Sequence, residues 1–226
     1  MKNAYLIVTF DVSEQHQPAF QGWLRAFFLQ PPQGMGLRAN PHCFRGLQVE
    51  TRMRTYLPSP SYVVLFPFEA DPSEVLQSEA FLKWWTKGIK DRFGWIIKQN
   101  WILAELAHGP ATPIDCTRAL ITQVDLPEAH RNNWGAWYDE VHIPQSRSVP
   151  DFFRAENRRF TAREIATKDW SCAPTPSSVH FVPIIDGADV VSSAATDEYL
   201  DLMVDTQARW AGVIRTASST ICESFV

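Results

Sequence analysis

The sequence predicts an α+β fold in which two consecutive β-α-β-β-α-β units set their antiparallel sheets face to face and close them into one barrel. Three observations predict it. Short segments recur in the same order in both halves, as LIVTFDV (6–12) over LITQVDL (120–126) and VVLFPF (63–68) over VHFVPI (179–184). Between them lie stretches with apolar residues at i, i+3, i+4 and i+7, the stripe of a helix packed on a sheet. Finally, a four-stranded sheet with both helices on one face leaves its other face bare, and the natural cover is the second unit.

The elements follow in order. The first strands carry Asp11 over Asp125, and the same offset places Phe20, Trp23, Leu24 and Phe27 of the first helix on Trp134, Trp137, Tyr138 and Val141. For the second strand, PHCFRGLQVETRMR (41–54) is set against PDFFRAENRRFTAR (150–163), pairing Arg45 with Arg154. This requires five extra residues in the first half, placed in the Pro- and Gly-rich LQPPQGMGLRAN. The third strands put Val64 on His180 and match a proline. The second helices are SEAFLKWW (78–85) and TDEYLDLM (196–203), and the last strands are WILAEL (101–106) and STICES (219–224). The units are therefore 1–108 and 118–226, joined by a linker at 109–117. Each has the ferredoxin-like, split βαβ order, and a cavity is expected between the facing sheets.

Composition narrows the function classes. The 226 residues are 45% apolar and 20% charged with a net charge of −4, which gives nucleic acid or an anionic membrane no electrostatic reason to bind. No apolar run approaches the ~20 residues of a membrane span, and MKNAYLIVTFDVSE lacks a signal-peptide pattern. Four scattered cysteines, Cys43, Cys116, Cys172 and Cys222, fit free thiols in a cytoplasmic protein. Nine Trp and fourteen Phe suit both a core and a pocket for a flat apolar ligand.

The run WGAWYDEVHIPQSRSVPDFFRAENRRF resembles the first-helix to second-strand signature of the dimeric α+β barrel superfamily, particularly its EthD-like members, with their Trp-Tyr…His-Ile-Pro stretch and Val-Pro-x-Phe turn. The resemblance implies a fused pseudo-dimer with a pocket. The superfamily includes cofactor-free monooxygenases, polyketide cyclases, lactone isomerases, lyases and haem enzymes, so the likeness does not choose a reaction.

Differences between the halves nominate the site. Tyr138, Asp139, His142 and His180 stand where the first half has Leu24, Arg25, Phe28 and Val64. On an α-helix of 3.6 residues per turn, Asp139 and His142 share a flank beside the buried stripe. Ile143-Pro144 is expected to end that helix. His142 is the candidate general base, or a cap on the last carbonyls. Asp139 would orient it or merely solubilise the helix, and Tyr138 would send its hydroxyl to the pocket. His180 would join them if its strand face lines the cavity. Trp137, Arg45, Arg154 and His42 are the candidate substrate contacts, with the matched arginines equally readable as structural.

No metal-ligand spacing, phosphate loop or nucleophile elbow is present. The expectation is an enzyme without cofactor that acts on a hydrophobic, aromatic or polyketide-like molecule by histidine proton transfer, as an isomerase, cyclase or lyase. A cofactor-free monooxygenase and a non-catalytic binder of apolar ligands are the alternatives. Haem would need His142 or His180 as its axial ligand. Beyond a small-molecule substrate, a homodimer of the fused barrel is left open.

Overall fold

In β1 (Ala4–Val12) every residue but Asp11 is buried, because the strand has side chains packed against both of its faces. Such strands read as near-continuous apolar runs. The structure, a computed structural model, describes residues 3–28, 30–31, 34, 36–37, 40–47, 60–69, 71–154, 156–163 and 175–225. The Phe28 side chain, Cys172 and positions 48–54 of the expected second strand lie outside the described residues.

In the first half, β1 is followed by α1 (Gln17–Phe28), β2 (His42–Gly46), β3 (Tyr62–Phe68), a short α2 (Ser73–Gln77), α3 (Glu79–Ile89) and β4 (Ile96–His108). The second half runs β5 (Arg118–Asp125), α4 (Glu128–Trp137), a π-helical turn (Tyr138–His142), α5 (Ile143–Ser146), β6 (Arg158–Arg163), β7 (Ser178–Pro183), α6 (Val190–Ser193), α7 (Asp197–Trp210) and β8 (Thr216–Ser224). The eight strands close in the order β1-β3-β2-β8-β5-β7-β6-β4. Each half contributes four contiguous strands, β4-β1-β3-β2 and β8-β5-β7-β6, and the halves join edge to edge at β2–β8 and β4–β6. Closure removes every open edge, the hazard of a lone antiparallel sheet.

The barrel interior corrects one expectation. Alternate residues of all eight strands, among them Tyr5, Phe44, Ile102, Ile121, Phe160 and Phe181, fill the space between the sheets as an apolar cluster. Edge-to-face ring contacts cross it, Tyr5–Phe160 at 4.9 Å and Phe44–Phe181 at 5.6 Å. Space for a pocket therefore remains on the sheets' other face, under the helices.

Strand register also corrects the second-strand match. Phe44 sits opposite Val63, and Phe160 opposite Val179. Leu37 bridges Phe68, and Phe153 bridges Ile184. Each second-half pair lies the same distance along the chain from its first-half counterpart. Arg45 thus corresponds to Thr161, not Arg154, and no five-residue insertion is needed. The repeated Phe-Arg dipeptide at Phe44-Arg45 and Phe153-Arg154 misled the alignment. The matched prolines, Pro67 and Pro183, lie beyond the ends of the β2–β3 and β6–β7 ladders, where a missing N–H costs little.

The linker is held from below. Arg158, 1% exposed, donates to the carbonyls of Pro110 (3.1 Å), Thr112 (3.3 Å) and Pro113 (3.4 Å). Gly109 turns the chain into this segment at φ +99°, and a Cβ there would lie 2.2 Å from the Asn157 carbonyl oxygen.

Candidate active site

The second half's first helix does not end at Ile143-Pro144. It widens into the π turn, with the Ile143 N–H donating to the Tyr138 carbonyl, and continues as α5 with Pro144 in its first turn. A proline has no N–H to give and its ring crowds the preceding turn, so a local i→i+5 loosening accommodates it. The wider turn also resets the faces. Tyr138 and His142 point inward, 5% and 8% exposed, whereas Asp139 reaches Arg159 of β6 on the other flank.

Asp139 is therefore not the partner of His142. It forms a two-pronged ion pair with Arg159 of β6, Nε–Oδ1 2.9 Å and Nη2–Oδ2 2.7 Å, with His108 Nδ1 3.6 Å away. The guanidinium packs over Gly135, where a Cβ would come within 3.1 Å of it. The carboxylate fastens helix to sheet.

His142 is held by a residue the sequence did not suggest. Thr206 of α7 donates its hydroxyl hydrogen to the Leu202 carbonyl at 2.8 Å, so toward His142 Nδ1, 3.1 Å away, it is an acceptor. That places the imidazole proton on Nδ1 and leaves the Nε2 lone pair, which has no hydrogen-bond partner among the described residues. Burial pushes the His142 pKa down to about 4, so the ring is neutral at neutral pH.

His180 faces the helices, as Val179 and Phe181 on either side face the barrel interior. It is fully buried, behind Trp134 and Tyr138. The Trp134 indole N–H donates to its Nε2 at 3.1 Å, Ser178 Oγ lies 3.0 Å from the same nitrogen, and the Tyr138 ring centre is 3.7 Å from its own. Burial, with His142 and Arg159 nearby, holds its pKa well below the ordinary value. His180 is thus a neutral buttress behind Tyr138. Tyr138, its own pKa raised by burial, stays a protonated hydroxyl.

A cavity of about 90 Å³ lies between the sheet and the helices of the second half. Tyr138 and His142 form one wall, and Met203, Thr206 and Gln207 of α7 form another. Its floor includes the hydroxyl pair Thr122–Ser219, with oxygens 2.9 Å apart, and Asn157 closes one end. The remaining lining is mostly aliphatic and aromatic. A wider polar cleft of about 450 Å³ lies across Trp134, beside Arg159, Ser177 and Ser178. Those three groups already bond to Asp139, to the Leu126 N–H and to the Phe160 carbonyl.

The four expected substrate contacts are elsewhere. Trp137 packs against Trp134 and Trp210 beneath His142, with the Arg209 guanidinium 5.8 Å over its ring. Arg45 pairs with Glu223 across the β2–β8 junction, and Arg154 pairs with Asp186 while donating to the Asp115 carbonyl. His42 stacks near Phe44 on β2, its pKa lowered chiefly by burial. None of these four lines the cavity.

The sequence matches no protein-family model and no curated protein. Solved structures do match. An anthrone oxidase-like protein aligns with TM-score 0.67 and 10% identity over 100% of this chain and 92% of its own. A candidate monooxygenase from Lactobacillus acidophilus aligns at 0.51 and 9%, covering 99% of this chain and 94% of its own. A haem-binding protein from Thermus thermophilus aligns at 0.51 and 9%, covering 100% and 92%. These neighbours share the dimeric α+β barrel fold. At such identities they show the fold alone.

A haem does not fit the residues present. His142 Nε2 is a suitable axial donor, but the described lining holds no Arg or Lys for the propionates. Trp134 and Tyr138 line the same cavity, whose volume of about 90 Å³ leaves no slot for a macrocycle. Among the described residues, no three His, Cys, Asp or Glu converge as a metal site, and no helix is long and apolar enough to cross a membrane.

Proposed function

We propose that the second-half cavity is the active site of a cofactor-free oxygenase that oxidises an activated CH₂ group of an aromatic ketone. The observation that carries this reading is His142. It is a neutral imidazole in an apolar cavity, its Nδ1–H anchored on Thr206 and its Nε2 left as the open base. The oxidase- and monooxygenase-like neighbours support it.

Nε2 removes a proton from the CH₂ carbon, and the electron pair delocalises into the carbonyl. The Tyr138 hydroxyl, kept protonated by burial, donates to the developing enolate oxygen. A depressed pKa makes imidazolium a poor product by itself, but the enolate beside it supplies the opposite charge that stabilises it. The carbanion passes its electrons to dioxygen and forms a C–O bond, and imidazolium returns a proton to give the hydroperoxide. Loss of the second proton from the same carbon breaks the O–O bond. The CH₂ becomes a carbonyl, and one oxygen atom leaves as water. The substrate supplies all the electrons, so no outside reductant is needed.

The test is oxygen uptake with 2-indanone, a fused bicyclic ketone with activated CH₂ groups. One O₂ should be consumed per ketone formed, with one labelled oxygen atom in the product. His142→Ala should lower turnover by about 10²–10⁴-fold, and His142→Gln nearly as much. Product formation undiminished without oxygen would instead favour an isomerase or lyase using the same base. Full turnover by His142→Ala would make the π turn a packing element.

A further inference from the structure

Hydrogen-bond register fixes which first-half side chains stand where the second half is hollow. Val8 lies between Val64 and Trp101 on its two neighbours, and Thr122 lies between His180 and Ser219. Ser219 therefore holds the position of Trp101. By the same register Val124 holds that of Phe10. The long helices are matched by their caps, since the Ser78 side chain accepts from the Phe81 N–H and that of Thr196 from the Tyr199 N–H. Counting on from those caps, Met203 holds the position of Trp85.

In the first half these positions are filled with rings. Trp85 and Trp101 meet edge to face at 4.4 Å, 2% and 1% exposed, and Phe10 stacks 6.3 Å from Trp85. In the second half the three counterparts are Met203, Ser219 and Val124, and all three line the cavity.

We infer that this cavity is the mould of an aromatic side chain, that its ligand is a planar fused ring of about indole size, and that Ser219 sets that size. The inference rests on the cavity being the active site and names the shape of the substrate. The 90 Å³ now enclosed is below the ~300–1,000 Å³ of typical ligand sites. Met203 supplies the adjustment, as an unbranched thioether that repacks around a ring face at low cost. The Thr122–Ser219 hydroxyls then meet the polar edge of the ring, where Trp101 would leave no space.

Calorimetry on the whole protein tests this with 2-naphthol, planar and fused, against decahydro-2-naphthol, the same skeleton saturated and puckered. The expected result is one 2-naphthol per chain, bound at least ~10-fold more tightly than the saturated alcohol. Ser219→Trp and the milder Ser219→Leu should weaken it ~10-fold or more while keeping the native circular dichroism. Equal binding of the two alcohols, or 2-naphthol binding unchanged in a folded Ser219 variant, would overturn the inference. The planar-against-puckered comparison needs no variant, so misfolding cannot leave the matter undecided. No turnover is measured, so a failed oxygenation reading and a failed shape reading are told apart.

Discussion

Burial of His142 has a thermodynamic consequence that can be measured apart from catalysis. Its pKa falls from 6.5 to about 4 on folding, so between those values the unfolded chain binds more protons than the folded one. Stability is then fully present above pH ~6.5 and is lost as pH falls toward 4, by about 2–3 kcal/mol at pH 4.5. His180 shifts in the same direction. Urea unfolding at pH 7 and pH 4.5 should show His142→Gln losing less stability than the parent by that amount. An equal loss in both proteins would mean that His142 is not held neutral. At this scale the replacement of apolar by polar residues picked out two that line the cavity, Tyr138 and His142, and one buried behind them, His180. The sequence was silent where space replaced a ring. Trp101 and Ser219 were already aligned, but a serine on a strand advertises nothing, and a cavity is an absence.

The helix of the second half shows why a flank inferred from 3.6 residues per turn can mislead. One π turn separated Asp139 from His142, and nothing in WYDEVHIP announced it except the proline two residues after the histidine. Asp139 and Arg159 have side chains only 16% and 15% exposed, so the ion pair is largely desolvated, and losing one partner leaves the other charge unmatched. Asp139→Asn should cost about 1–3 kcal/mol in urea unfolding, with kcat held within a few-fold because the carboxylate does not touch His142. A kcat loss as large as that of His142→Ala would restore the catalytic pairing. Arg158 belongs to the same scale. Its hydrogen bonds to linker carbonyls run from a buried guanidinium, and Arg158→Met should lower stability by about 2 kcal/mol or more by leaving those acceptors unpaired, read as a fall in melting temperature.

Across the whole molecule, order and alternation in the sequence were enough to give four strands and two long helices per half and the closed barrel. They could not say which side of the sheets would hold the pocket, since both faces are apolar and period-2 alternation does not distinguish them. The interior rings that meet across the barrel settle that choice by volume. A separated half would expose the edge strands that now pair at β2–β8 and β4–β6, together with the apolar inner face. Expressed alone, each half should aggregate or pair with itself, as size exclusion with light scattering would show. A monodisperse, folded single half would contradict this.

The filled first half and the hollow second half share one continuous ladder of strands, but their covering helices do not rest on equal support. Trp85 locks α3 to the sheet at mid-helix through an indole wedge. By contrast, α7 is anchored by Tyr199, Leu202 and Trp210 and passes over the cavity at Met203 and Thr206, where its hydrogen-bond partner is His142. Local opening free energy follows packing of this kind. Backbone amides of 197–210 should therefore exchange with deuterium sooner than those of 79–89, although both helices are capped alike. A bound aromatic ring should slow the first set and leave the second unchanged. The protein would then be a molecule with a still side and a breathing side, and the route by which a ligand arrives would be the breathing itself.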